Sequence, residues 1–432
     1  MGAFTIDTER FRERFEAFNE IGATDAGGVD RPALSAANRQ ARDRLVAWFE
    51  AADLEVTVDE MGNIFGRREG RDGSLAPVLV GSHVDSQYNG GRFDGVIGVL
   101  GALEVVETLD DAGVETERPV EVVAWSNEEG VRFQPDMLGS GVFAGVFDLE
   151  YAHGVEDGDG NAFGDELERV GYRGDAPCEP RPLHCYLELH VEQGPYLDGA
   201  DATVGVVEGV YGFSWADAAF EGSADHAGPT PMHRRHDALV ATADVVTAVR
   251  RLTATGGPDL VGTVGHVDVH PNSINVVPER VAFTVDVRSY DDDVVDAAVE
   301  RVEREVAHAA AREGVDHEFE EIMRVDADSF ADGCIEAVER AAAALGVEHA
   351  RVVSGAGHDA TYLNRICPTG MVFVPSVGGV SHVEEEYTEW TDVVAGTNVL
   401  LRAVAAQAAE TGDGGRRGVG DGNEAGTGGV PS

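Results

Sequence analysis

The chain has 432 residues, 79 Asp and Glu against 32 Arg, no Lys, and a formal net charge of −47. Such acidity repels nucleic acid and anionic membrane surfaces, and no run of about 18 apolar residues is present to span a bilayer as a helix. With 43% hydrophobic residues and its carboxylates dispersed between well-patterned apolar segments, the composition excludes a disordered acidic protein and suggests two or three domains of ~150 residues each.

The first 75 residues read as helical and then strand-like. Leu45, Phe49 and Ala52 recur at helical spacing and predict a helix over 39–52. Short strands are expected at 54–58 and 63–66. Val78, Leu79 and Val80 form an apolar run that predicts a strand. Val96, Val99, Leu100 and Leu103 predict a helix over 95–109, and 120–125 is a second strand. A helix crossing over between two strands implies a parallel sheet. After an acidic, glycine-rich stretch at 154–164, a strand follows at 185–189. From about Phe213 the pattern changes. Phe283, Val285 and Val287 alternate as in a strand buried on one face, and helices are expected at 237–252 and 291–311. Beyond about Asp326 the earlier pattern resumes, with helices at 333–345 and 392–408 and a strand at 371–374. The fold class is therefore α/β, a mostly parallel sheet flanked by helices. Its domain is discontinuous, 1–212 and 326–410, interrupted by a smaller α+β domain at 213–325. The glycine-rich, polar tail at 411–432 is expected to be disordered. Cys178, Cys185, Cys334 and Cys367 form no CxxC pair and predict buried free thiols in a reducing cytoplasm. The N-terminus is charged and lacks the apolar stretch of a signal peptide.

Four short motifs fall at the ends of predicted strands: Gly81-Ser82-His83-Val84-Asp85, Asn127-Glu128-Glu129-Gly130, His190-Val191-Glu192-Gln193-Gly194 and Gly378-Gly379-Val380-Ser381-His382. A fifth, Gly90-Gly91-Arg92-Phe93-Asp94-Gly95, opens the crossover helix. Ligands of open α/β sheets gather beyond the carboxyl ends of the strands, so these motifs converge on one crevice. Each alone is a weak signal. A lone His after a strand is more often a core or loop residue, a Glu-Glu pair is usually a solvated face, and Gly-Gly is usually a turn. Together they bring three imidazoles and several carboxylates, without a thiolate. That set suits a borderline divalent metal such as zinc, manganese, cobalt or nickel. Two ions call for about two protein ligands each and a carboxylate between them, and Asp94, held among glycines at a helix start, fits the bridge. Glu128 and Glu129 cannot both ligate comfortably. They can divide the labour, one on a metal and one as general base.

The stretches at 81–104, 125–133 (WSNEEGVRF), 190–197 (HVEQGPYL), 225–232 (DHAGPTPM), 271–288, 354–363 (SGAGHDATYL) and 366–388 resemble the dinuclear-metal amidohydrolases of the peptidase M20 superfamily, in its amidase, hydantoinase and carbamoylase branch. Within that branch the block ICPTGMVFVPSVGGVSHVEEEYT is most similar to N-carbamoyl-L-amino-acid hydrolases. The resemblance implies two divalent ions per subunit, one held by His83 and His190, the other by Glu129 and His382. Asp94 would bridge them, and Glu128 would be the base. Asp85 would orient the His83 imidazole through its carboxylate. Substrate contacts would fall on Gln193, His226, Asn275, Arg288 and Gly357, with the planar fork of Arg288 on a substrate carboxylate. Taken alone, Arg288 reads as a surface arginine on a strand, and His358 reads equally as a site residue or a turn hydrogen bond.

The activity implied is hydrolysis of the ureido C–N bond of an N-carbamoyl-L-amino acid to the amino acid, carbon dioxide and ammonia. Allantoate, N-carbamoyl-β-alanine or a dipeptide are the alternative substrates. A metal-free binding protein would have lost a ligand or the base, and all six positions are filled. The implied assembly is a cytoplasmic homodimer through 213–325, each subunit sending His226 into its partner's site. The expected partner is a small ureido acid, not nucleic acid or a membrane. The dispersed carboxylates read as a halophile's surface, tolerable where salt screens their repulsion.

Overall fold

The computed structural model describes residues 4–257 and 259–411, so the predicted tail lies, after Thr411, outside the described residues. The strands in chain order are β1 Glu55–Val58, β2 Ile64–Arg68, β3 Val78–His83, β4 Val120–Trp125, β5 Cys185–Val191, β6 Val204–Val210, β7 Gly212–Glu221 and β8 Asp225–His226. They continue with β9 Val261–Thr263, β10 Val267–His270, β11 Val276–Val277, β12 Arg280–Ser289, β13 Asp316–Val325, β14 Asp328–Ser329, β15 His349–Ser354 and β16 Thr369–Val374.

The larger sheet has the order β1-β2-β4-β3-β5-β16-β6-β14, with β15 on β6. Its centre, β4-β3-β5-β16, is parallel, and it turns antiparallel at β2 and at β6. β3, β4, β5 and β16 are buried along their whole length. Strands covered on both faces need such near-continuous apolar content. The helix Val96–Asp111 makes the crossover from β3 to β4 and is itself buried on most sides. Gly98 lets it lie against the sheet, for a Cβ there would stand 2.5 Å from the Leu189 carbonyl oxygen. The helix Trp390–Ala408 packs beside it. An N-terminal helix, Thr8–Asn19, adds Phe11, Phe15 and Phe18 to the same core. The helix expected over 39–52 begins earlier, at Ala36, because the Ser35 side chain caps it by accepting the Asn38 N–H.

The smaller sheet has the order β10-β12-β7-β13, with β9 on β12, all antiparallel. Val281, Phe283, Val285 and Val287 alternate along β12 and are buried. Helices Ala238–Thr255 and Asp292–Glu313 supply Val245, Val249, Val302 and Val306 to this core. Asp237 and Asp291 cap these helices by accepting first-turn N–H groups. The chain enters the smaller sheet at β7 and leaves it after β13, and each sheet has its own apolar core. A separate ladder pairs β8 with β11, placing His226 opposite Val276. The four cysteines are buried and free. No helix among the described residues is long and apolar enough to cross a membrane.

Candidate metal centre and active site

His83 is the last residue of β3 and His190 the penultimate residue of β5, so two of the motifs begin inside their strands rather than after them. The strands keep both imidazoles buried. Nδ1 of His83 meets the Asp85 carbonyl oxygen and Nδ1 of His190 the Val191 carbonyl oxygen, each at 3.0 Å. A carbonyl only accepts, so each Nδ1 carries the proton and each Nε2 presents its lone pair. Those Nε2 atoms lie 3.3 Å and 3.1 Å from Oδ1 of Asp94, and both are buried without a hydrogen-bond partner. Lone pairs facing a carboxylate in a buried crevice are the arrangement that a cation resolves.

The other oxygen of Asp94 serves a second group. Oδ2 is 3.6 Å from Nε2 of His382, which is 3.7 Å from Oε2 of Glu129. Asp94 is thus common to two triads, His83–Asp94–His190 and Asp94–Glu129–His382, in each of which the ligand-capable atoms lie within 4.8 Å of one another. Asn127, at φ 56°, turns the chain after β4 and gives the two adjacent glutamates different company. Glu128 Oε2 stands 3.5 Å from His83 Nε2, whereas Glu129 faces His382 and accepts the Gln87 main-chain N–H (3.0 Å) and side-chain amide (2.7 Å). Gly95, at φ 64°, admits the His83 ring, since a Cβ there would be 2.4 Å from its Cε1.

The electrostatics ask for positive charge. Burial disfavours a charged His83, yet Glu128, Asp94 and Asp85 hold it well above the usual imidazole range, so that without a cation a proton takes the Nε2 position instead. Burial pushes the Glu128 carboxyl well up. His83 opposes this, and Asp359, Glu129 and Asp94 add to it. Burial likewise raises Glu129, helped by Asp94.

Asp85 meets His83 more closely through its main chain than through its carboxylate. It holds His83 through its main-chain carbonyl, while its carboxylate is 3.9 Å from Nδ1. The carboxylate turns instead to the N–H groups of Glu128 (3.4 Å) and Glu129 (3.3 Å), and so shapes the loop that carries both glutamates. Gln193 stands at the centre of the crevice, donating to Asp94 Oδ2 at 2.8 Å and lying 3.0 Å from His382 Nε2. Gly357 is exposed and precedes His358, whose buried ring packs edge-on against His190 at 4.5 Å and bonds Ser354 Oγ at 3.0 Å. His226, Asn275 and Arg288 are not brought to this group. His226 is exposed, and its Nδ1 accepts the Gly228 N–H at 3.0 Å. The Asn275 carbonyl accepts the Ala227 N–H at 2.9 Å. Arg288, on β12, pairs with Asp286 at 2.9 Å and lies over the Phe213 ring.

Sequence reasoning passed over Gln87, Glu188 and Glu386. Glu188 is buried on the His190 face of β5 and accepts the Ser82 and Tyr186 hydroxyls and the Ala360 N–H. Its spacing of two from His190 was the available signal. Glu386 is the buried member of three consecutive glutamates, 384–386, and nothing local marks it out.

An α/β sheet with two His-carboxylate triads beyond its strand ends, that of His83 and His190 buried, defines a candidate metal-dependent hydrolase. Residues 79–406 match peptidase family M20/M25/M40, and the chain belongs to that family. An N-carbamoyl-L-amino-acid amidohydrolase of Rhizobium meliloti is 42% identical over 399 residues, covering 92% of this chain and 96% of its own. A ureidoglycolate hydrolase of Oryza sativa subsp. japonica is 33% identical over 415 residues, covering 93% and 85%. The crystal structure of an amidase of the hydantoinase/carbamoylase family from Burkholderia multivorans matches with a TM-score of 0.92 and 49% identity, over 95% of this chain and 100% of that one.

Proposed function

We propose that this enzyme hydrolyses the ureido C–N bond of N-carbamoyl-L-amino acids. The observation that carries the reading is the Asp94 carboxylate, shared by two triads in a chain 42% identical to an N-carbamoyl-L-amino-acid amidohydrolase. His83 and His190 would hold one divalent ion and Glu129 and His382 the other, with Asp94 between them. Zinc, manganese, cobalt and nickel all suit this donor set. When bound, such ions polarise a carbonyl and lower the pKa of water.

The remaining work falls to side chains. Glu128 accepts a proton from the attacking water and delivers it to the leaving nitrogen. One water adds to the ureido carbon, one C–N bond breaks, and the resulting carbamic acid separates into carbon dioxide and ammonia. Gln193, already bonded to Asp94, donates its amide toward the substrate. Arg288 takes the substrate carboxylate by exchanging it for Asp286, a bidentate pairing for which its fork is suited. Arg288, Asn275 and His226 belong to the 213–325 unit, so their use requires that unit to close over the crevice as a lid and to dimerise.

An ammonia-release assay tests the reading on metal-loaded protein with N-carbamoyl-L-, D- and β-amino acids, allantoate and ureidoglycolate. The L-series is expected to be turned over best. Ammonia from allantoate, ureidoglycolate or N-carbamoyl-β-alanine, with none from the L-series, replaces the substrate and keeps the chemistry.

A further inference from the structure

Glu386 takes no part in the chemistry just described, yet it is a carboxylate only 3% exposed. Its Oε1 accepts the main-chain N–H groups of Phe93 at 3.3 Å and Asp94 at 3.1 Å. Its Oε2 accepts the Ser381 hydroxyl at 2.7 Å. One side chain therefore ties the turn that aims Asp94 to the residue before His382. The approach is close, since a Cβ at Gly91 would stand 2.2 Å from Oε1. Beside it the rings of Phe93 and Tyr387 meet edge to face at 5.8 Å.

The two triads differ in how they are supported. His83 and His190 sit in strands, buried, with each ring fixed by a main-chain carbonyl. His382 sits in a loop at φ 60°, its side chain 50% exposed. The polar groups its ring meets are Gln193, Asp94 and Glu129. Beyond the Gln193 amide, which spans the two side chains, its distance from Asp94 depends on how its loop is joined to residues 90–95, and Glu386 makes that joint.

We propose that Glu386 is a positioning residue that sets the spacing of Asp94 and His382, and so holds the triad Asp94–Glu129–His382 ready for its cation. The proposal rests on the two-ion reading. Side chains that orient metal ligands are commonly worth roughly 10- to 100-fold in affinity.

Calorimetric titration of the metal-stripped full chain with Mn²⁺ tests it, alongside Tm, kcat and KM. Wild type is expected to take two ions. Glu386→Ala is expected to lose roughly 10- to 100-fold in affinity at one site while the other keeps its affinity, with kcat reduced and KM near wild type. Glu386→Gln restores both sites, because its amide oxygen accepts the two N–H groups and its amino group meets Ser381. Ser381→Ala removes one arm of the tie and weakens the same site by less, which keeps the test open if Glu386→Ala fails to fold. Equal weakening of both sites with a lowered Tm, an unaltered second site, or failure of Gln to rescue each overturns the proposal. A wild type that takes fewer than two ions overturns the two-ion reading itself, and this proposal with it.

Discussion

Glu128 and Glu129 are chemically identical neighbours, and the backbone alone separates their tasks. The left-handed Asn127 and the Asp85 carboxylate fix the loop so that one faces His83 and the other His382. Glu128→Gln keeps the shape and removes the base. Turnover is expected to fall about 10²- to 10⁴-fold while metal content by elemental analysis stays at the wild-type level. Turnover near wild type places the base elsewhere. Gly95→Ala tests the other side of the same imidazole, for its Cβ would meet the His83 ring at 2.4 Å and its φ of 64° suits glycine. Metal affinity should drop at the site containing His83, and unchanged affinity refutes the close contact. That His83, Asp94, Glu129, His190 and His382 gather in one crevice was legible from motifs at strand ends and at the start of the crossover helix, while the ligand role of each came only from the family resemblance. The role of Asp85 was half legible. Whether a carboxylate or its own carbonyl faces a ring depends on a backbone turn that spacing does not specify. Glu386 was illegible, because burial separates it from Glu384 and Glu385 only once the loop is folded.

Among the elements, the parallel centre of the larger sheet was readable from the helix that crosses over between two strands, since parallel neighbours need such a connection. The place of β6 was not. It enters between β16 and β15, antiparallel to one and parallel to the other, and sheet order is not a local property. The helix Thr8–Asn19 was also not delimited, because Glu and Arg crowd its three phenylalanines in TERFRERFEAFN. Those rings form a seam. Phe15 lies 4.9 Å from Phe93 and 5.4 Å from Trp390, so the helix also backs the turn that ends in Asp94. Phe15→Ala is expected to cost about 3–5 kcal/mol of stability, read from urea unfolding. A loss under about 1 kcal/mol would show that the site relaxes around the missing ring.

At the scale of the whole molecule, charge and assembly decide behaviour. A formal charge of −47 without lysine leaves many carboxylates to repel one another, and salt screens that repulsion within about 10 Å at 0.1 M. Tm is expected to rise between dilute buffer and about 2 M KCl, and a higher Tm in dilute buffer refutes a halophile's surface. The proposed dimer turns on His226. It is exposed on β8, and its ring bonds back to Gly228 within its own loop. The proposal is that this side chain completes a partner's site. If the chain forms a two-fold dimer, the proposed exchange has a definite consequence. His226→Ala and Glu128→Gln proteins are each nearly inactive alone. In a mixed dimer, the site built on the intact Glu128 receives the intact His226, and the other site carries both defects. Random pairing of equal amounts makes about half the dimers mixed, each with one good site, so co-refolding should recover about a quarter of wild-type activity. Full inactivity in confirmed mixed dimers would return His226 to its own subunit's site, or remove it from catalysis.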